Sequence, residues 1–302
     1  MHVWGHPSDN NVYYIRYFLS LKTIQVNFHP TYKIPTPCIM TGEDLIGGNL
    51  EEVLAYVEGK FPLPELLPRS QLYDRKEGEW KLIFKITSMH HTSIQFHLQS
   101  IITCTCELLM HVGDHRQRRK AILSLKVTKL CLSFKSLIQI LQEHATIEDS
   151  IIFPFLRSSD EELELPELLM QQHLSHVPLH YGIDTDIDSL QSMILGSTTY
   201  VQKLVGIFSR LQTLQNSLEE HFLEEEKVLN VLMESAEITC KKNHQRVLTV
   251  EECLKIMVQT HSNYFIFFLQ GLSPRERLEY LDLILVLTDH DLSKSIFSSL
   301  FP

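Results

Sequence analysis

Four histidines, His91, His144, His173 and His221, stand at mirrored distances about three turn signals, and this mirror constrains the fold more than any other property of the chain. Residues on two antiparallel helices that are equidistant from their connecting turn lie at one height, because each helix rises about 1.5 Å per residue. His91 and His144 have their midpoint at 117.5, inside the polar stretch from Gly113 to Arg119. His144 and His173 have theirs at 158.5, in the Arg157-Ser158-Ser159-Asp160 break ahead of Pro166. His173 and His221 have theirs at 197, within Leu195-Gly196-Ser197-Thr198-Thr199. Such Gly, Ser and Asp clusters punctuate helices. The pattern predicts an up-down-up-down four-helix bundle that gathers the four imidazoles into one layer.

Two of these histidines carry a glutamate four residues on, His144 with Glu148 and His221 with Glu225. An i, i+4 pair shares one helix face. Imidazoles and carboxylates that converge from different helices are how bundles hold paired metal ions. A mixed nitrogen and oxygen donor set suits iron, with manganese as the alternative. Burying these groups without a cation would leave costly unpaired polar atoms. The donor on the first helix is open among His90, His91 and His97, and His91 mirrors His144 best. Glu226 is a second candidate beside Glu225 in the Glu224-Glu225-Glu226 run. The histidines at 2, 6, 29, 111, 115, 244 and 290 read as ordinary ones, and His261 as a satisfied core residue.

The formal charge of -10, with no long basic run, argues against nucleic-acid binding. The one basic cluster, Arg116 to Lys120, falls in an inter-helix turn and reads as solvated. Six scattered cysteines, Cys38, Cys104, Cys106, Cys131, Cys240 and Cys253, form no CxxC and suggest a reducing compartment. The first residues lack the charged and apolar regions of a signal peptide, and no apolar run reaches the length of a membrane span. The expectation is a soluble, cytoplasmic protein without nucleic-acid or membrane partners.

Residues 1–62 alternate short strands and helices: strands at His2 to Gly5, Gln25 to His29 and Pro37 to Met40, helices at Asn11 to Lys22 and Leu50 to Lys60. A proline-rich and polar linker follows at 63–79, with Pro62, Pro64 and Pro68 close together. The bundle is expected over 80–240, with helices near Trp80 to His111, Gln117 to Leu156, Pro166 to Leu195 (broken or kinked near Pro178 and Gly182) and Tyr200 to Glu237. Residues 241–302 are expected to form further helices docked on it, two of them opened by the capping boxes Thr249/Glu252 and Ser273/Glu276. The chain is thus mainly α, preceded by a small α/β domain.

The segment His144-Ala145-Thr146-Ile147-Glu148-Asp149-Ser150-Ile151-Ile152-Phe153-Pro154 resembles the HxxxEExxxFP signature of the hemerythrin, or HHE cation-binding, family. Glu219-Glu220-His221-Phe222-Leu223-Glu224-Glu225-Glu226-Lys227 looks like its second copy, and His173 looks like the third-helix ligand. The resemblance implies a di-iron site whose ligands are His91, His144, Glu148, His173, His221 and Glu225, with the glutamates as bridges. Oxygen carriers of that family resemble HxxxH in the third helix, where this chain has Val177 after His173, with His176 one residue off the face. Reversible oxygen carriage is therefore not what the resemblance implies here.

Residues 1–62 resemble the thioredoxin-like half of glutathione transferases, as in plant hemerythrin-domain proteins that carry such a segment. Ile34-Pro35-Thr36-Pro37-Cys38-Ile39 stands at the place of the proline turn before a strand, which makes Pro37 the expected cis residue. Gly48-Asn49 stands where those enzymes hold the γ-glutamyl group with Glu-Ser or Gln-Ser, and Ser8 or Tyr13 would be the thiol-activating hydroxyl. The leading expectation is a non-haem di-iron binding protein in iron handling or in oxygen or redox sensing, with oxygen or peroxide as further ligands. Oxidase or peroxidase activity has no dedicated catalytic motif behind it. The alternatives are a glutathione-transferase-like enzyme acting through the N-terminal domain, and a metal-free interaction scaffold.

Overall fold

A computed structural model describes residues 1–34, 36–66, 78–111, 117–159, 165–257 and 260–301. Pro35, Pro68 and most of the expected linker, the turn at 112–116 and Asp160 lie outside the described residues, as do the side chains of the basic cluster. The chain is mainly helical with a small four-stranded sheet near its N-terminus. It divides into two compact units, one formed by residues 1–78 with 261–302 and the other by 79–260.

In the first unit, β1 (His2–Gly5), α1 (Asn10–Leu21), β2 (Asn27–Pro30), β3 (Cys38–Thr41), β4 (Asp44–Gly47) and α2 (Leu50–Lys60) follow in order. The strands lie in the order β2-β1-β3-β4, with β1 parallel to β2 and antiparallel to β3, and β3 antiparallel to β4. Strand β4 is not legible in the sequence, because Asp44 and Gly47 are poor strand formers. It exists through pairing with β3 across a tight turn in which Gly42, at φ 65°, takes the left-handed conformation. Thr36–Pro37 is not a cis peptide, contrary to the expectation for Pro37; the cis bond among the described residues is Leu63–Pro64. Asn49 is occupied as the N-cap of α2, in a reciprocal capping box with Glu52.

The C-terminal stretch 261–302 completes this unit with α9 (Phe265–Gln270), α10 (Pro274–Leu287) and α11 (His290–Ser298), while α8 (Val250–Ile256) belongs to the second unit. The two compact units divide at 260/261. Helices α10 and α11 pack on α1; Val12, Ile15, Phe18 and Leu19 of α1 are buried, as are Leu281 and Ile284 of α10 and Phe297 of α11. Each such side chain contributes about 1.5–3 kcal/mol on burial. Asn10 Nδ2 donates to Ser293 Oγ at 2.7 Å, and Arg16 sits 4.0 Å from the Phe301 ring. His261, expected to be a satisfied core residue, is buried with Nε2 2.7 Å from the Tyr280 hydroxyl.

In the second unit, α3 (Glu79–His111), α4 (Gln117–Ile147), α5 (Phe153–Ser159), α6 (Leu165–Ser192) and α7 (Thr198–Lys242) carry apolar residues at helical spacing. Leu204, Ile207, Leu211, Leu214, Leu218 and Phe222 of α7 are all buried, each three or four residues from the next. Helix α3 packs on α4 and α7, and α6 on α4 and α7. Helix α6 runs through Pro178 without the expected break. The turn before α7 has Gly196 at φ 82° and Ser197 as N-cap, its hydroxyl accepting from Tyr200 N.

The second expected helix differs in one respect. Between α4 and α5 lies a single π-helical turn, Glu148–Ile152, in which Phe153 N–H bonds to the Glu148 carbonyl five residues back. Pro154 supplies the reason: it has no N–H and its ring would clash with the carbonyl of Ser150, so the helix widens just ahead of it. No helix among the described residues is long and apolar enough to cross a membrane.

Candidate metal centre

The six residues expected at the site come from five stretches of helix, and the structure brings all six together. His91 comes from α3, His144 from the end of α4, Glu148 from the π turn, His173 from α6, and His221 with Glu225 from α7. His91, His144, Glu148 and Glu225 form one cluster of closely spaced donor atoms, and Glu148, His173 and His221 form a second that shares Glu148.

The two carboxylates sit between the imidazoles. Glu148 Oε1 lies 3.2 Å from His144 Nε2, while its Oε2 lies 3.1 Å from His173 Nε2. Glu225 Oε2 lies 3.3 Å from His91 Nε2 and 3.8 Å from His221 Nε2. Both glutamates are fully buried. As carboxylates, all four of their oxygens lack a hydrogen-bond partner, and so do His91 Nε2 and His144 Nε2. Native interiors leave few such atoms, because each costs about 1–3 kcal/mol and more when charged. Their convergence therefore fits a bound cation, which would take up these lone pairs together.

The outer nitrogens explain why the inner ones are free to face inward. His91 Nδ1 donates to Glu226 Oε1 at 2.7 Å, His173 Nδ1 to Asp149 Oδ1 at 3.0 Å, and His221 Nδ1 to Gln172 Oε1 at 2.5 Å. A neutral imidazole has one N–H, so a proton committed to Nδ1 leaves Nε2 with its lone pair. Carboxylate and amide oxygens behind metal-binding histidines fix tautomer and ring orientation in this way. His173 Nε2 and His221 Nε2 then face each other at 3.0 Å, two lone pairs that only a proton or a metal ion can reconcile. Gln172 is itself held by Glu224 Oε2 at 3.0 Å. Phe222 stacks on His91 with 3.9 Å between ring centroids and shuts that side with apolar surface.

Electrostatics reflect the crowding. Burial pushes the Glu148 carboxyl well above the usual carboxylate range, and the neighbouring Glu225 charge adds to it. Burial also pushes Glu225 upward, but His91, Glu148 and His221 together outweigh this and hold its carboxyl below the ordinary value. For His91 burial acts downward, and Glu225 with Glu226 reverses it, so the ring lies above its ordinary value. Burial drives His144 well down and His221 down to about 3. Without a cation the shifts favour one ion pair, His91 with Glu225, and the neutral forms of Glu148, His144 and His221, as a dry site requires.

Of the alternatives on α3, His90 is buried with its ring edge-on to His144, and His97 is buried edge-on to Phe96; neither joins the donor clusters. Val177 is half exposed, and His176 turns to Ser217 Oγ at 2.9 Å instead. Sequence reasoning did not assign Asp149, Gln172 or Glu224. Each stands next to an expected ligand, Asp149 after Glu148, Gln172 before His173 and Glu224 before Glu225, and that adjacency was the one signal the sequence carried.

Comparison with known families now bears on what this cluster is. Residues 106–233 match the hemerythrin HHE cation binding domain. The matched stretch takes in the end of α3 through most of α7, and with it five of the six clustered residues; His91 lies ahead of it. The hemerythrin-type region and the buried His/Glu cluster point independently to metal binding, with iron as the usual metal. No curated protein and no solved structure gave a match.

Proposed function

We propose that the chain is a non-haem di-iron binding protein that acts in iron handling or in sensing oxygen or redox state. One observation carries this reading: Glu148 directs its two oxygens at imidazoles of two different donor clusters, 3.2 and 3.1 Å away, as a carboxylate bridging two cations would. His91, His144, Glu148 and Glu225 would hold one ion, and His173, His221 and Glu148 the other, with Glu225 as second bridge. The neighbour relations of α3, α4, α6 and α7 support an up-down-up-down hemerythrin-type bundle. Four imidazoles with two carboxylates for the pair favour iron over softer metals, and manganese remains compatible with the same donors.

Iron held with open positions supplies binding and redox chemistry toward oxygen or peroxide. The chain's own contribution is orientation and dryness. Asp149, Gln172 and Glu226 hold the outer protons of His173, His221 and His91, and Phe222 excludes water on the His91 side. The sheet order and parallel β1–β2 pair support a thioredoxin-like N-terminal fold. Engagement of Asn49 in helix capping weakens the glutathione alternative. Six free cysteines and the absence of an apolar helical span among the described residues support a reducing, cytoplasmic setting.

Metal analysis of the purified full chain, with absorption spectra in reduced and oxidised forms, tests the proposal. Two irons per chain are expected, and His144→Ala should abolish the pair. Iron far below stoichiometry, or unchanged iron in His144→Ala, defeats it.

A further inference from the structure

The two donor groups of the metal centre are unequal. The first holds four donor residues, His91, His144, Glu148 and Glu225, and the second holds three, Glu148, His173 and His221. Glu225 leans toward the first group, since its Oε2 stands 3.3 Å from His91 Nε2 but 3.8 Å from His221 Nε2. One helical turn past His173, where a further donor would share its face, α6 carries Val177, which has no lone pair to offer.

Charge widens the difference. A divalent ion in the first group is matched by two carboxylates, Glu148 and Glu225. An ion in the second group brings two more positive charges into the same dry space and meets Glu148, whose charge the first ion has already matched. Charge left unmatched in a water-poor site costs free energy.

The groups also differ in their access to water. The side chains of His91, His144, Glu148 and Glu225 are at most 2 % exposed, whereas that of His173 is 9 % exposed. A cleft of about 400 Å³ between α4, α6 and α7 is lined by His144, His173 and His221, and His91 and the two glutamates are not part of its lining. Phe222 stacks on His91 and closes that side. Asp149, whose side chain is 32 % exposed, lines the cleft and accepts from His173 Nδ1. An ion leaves a site by trading protein donors for water one at a time, so the group with fewer donors and with water at its edge releases its ion first.

We propose that the chain keeps one ion and exchanges the other. The position of His91, His144, Glu148 and Glu225 holds a resident ion, and the position of His173 and His221 loads and empties through the cleft. This deepens the di-iron reading and rests on it. In iron handling, the exchangeable position is the one that follows the supply of free iron(II), while the resident ion keeps Glu148 and Glu225 set between loadings.

The test uses the full chain under anaerobic conditions, dialysed against iron(II) buffered by graded nitrilotriacetate, with iron counted per chain at each level. Two separate steps of one iron each are expected. The second should be weaker by about tenfold or more, because losing even a partner behind a metal ligand lowers affinity about 10- to 100-fold. A pulse of isotopically labelled iron(II) should replace one ion well before the other. His173→Ala should remove the weak step and leave the tight one, with circular dichroism of the metal-free variant checking its fold. The wild-type isotherm and exchange decide the matter even where that variant does not fold. Two irons taken up in a single step, equal exchange of both ions, or loss of both steps in a folded His173→Ala chain overturns the proposal and leaves the di-iron reading standing. Fewer than two irons per chain at saturating iron(II) removes the di-iron reading, and this inference with it.

Discussion

Glu148→Gln separates the two things that Glu148 does. The side chain is fully buried, and its oxygens face two imidazoles and no hydrogen-bond donor. Gln has the same shape, no charge, and an NH2 that can donate to His144 or His173 Nε2. In the metal-free chain the substitution therefore removes a buried group whose charged form has nothing to neutralise it, and stability should rise by about 1 kcal/mol or more. With iron the sign inverts. At iron about 100-fold above Kd the wild-type chain gains about 2.7 kcal/mol, which for a unit the size of Glu79–Thr260 raises its unfolding midpoint by about 6–10 °C. Loss of a bridging donor lowers affinity at least as much as loss of an outer-shell partner, about 100-fold at the upper end. The residual gain is then about 0.4 kcal/mol, or about 1 °C. Thermal unfolding of both chains at neutral pH, with iron(II) under anaerobic conditions and with chelator, reads all four states. A metal-free Glu148→Gln chain that melts below wild type, or one that keeps the full iron-dependent rise, refutes the reasoning.

The outer partners give a graded version of the same test. Gln172→Ala and Glu226→Ala leave every proposed donor in place but release the Nδ1 protons of His221 and His91; each should lower iron affinity about 10- to 100-fold in competition with a chelator, with the far-ultraviolet circular dichroism unchanged. His261 reports on pH in the other unit. Burial lowers it to about 3, so its contribution is complete above the unfolded value near 6.5 and is lost as pH falls toward 3. His261→Gln keeps a partner for the Tyr280 hydroxyl and does not titrate; calorimetric melts should show about 2 kcal/mol less loss between pH 7 and 4.5 than in wild type. Equal losses in the two chains would rule His261 out as a source of acid sensitivity.

The long helices were legible because a stripe such as Leu204, Ile207, Leu211 and Leu214 has one period and one explanation. The meeting of His91, His144, His173 and His221 was legible for a second reason: helical rise is constant, so distances from a turn translate into height. Height is not rotation, however. Which of His90 and His91 enters the donor cluster, and that Glu226 turns to His91 while Glu225 faces inward, depends on a few tens of degrees of helix rotation that no spacing records. The π turn at Glu148–Ile152 was hidden because its cause, Pro154, lies two residues past its end and reads equally well as a helix end. The assignment of 261–302 was hidden differently. An apolar stripe such as Leu278, Leu281 and Ile284 announces that it will be covered and does not name the surface that covers it. Strand β4 owes its existence to β3 rather than to its own residues.

Glu224, Glu225 and Glu226 read in the sequence as a monotonous acidic run, yet each successive residue turns about 100° around α7. Glu224 grips Gln172 of α6, Glu225 enters the cluster, and Glu226 grips His91 of α3. A single residue inserted or deleted just upstream would leave the composition intact and rotate all three duties away from their partners at once. The triplet thus acts as an angular key, readable in one orientation only, and two helices that never need to touch each other take their setting from the same half-turn of a third.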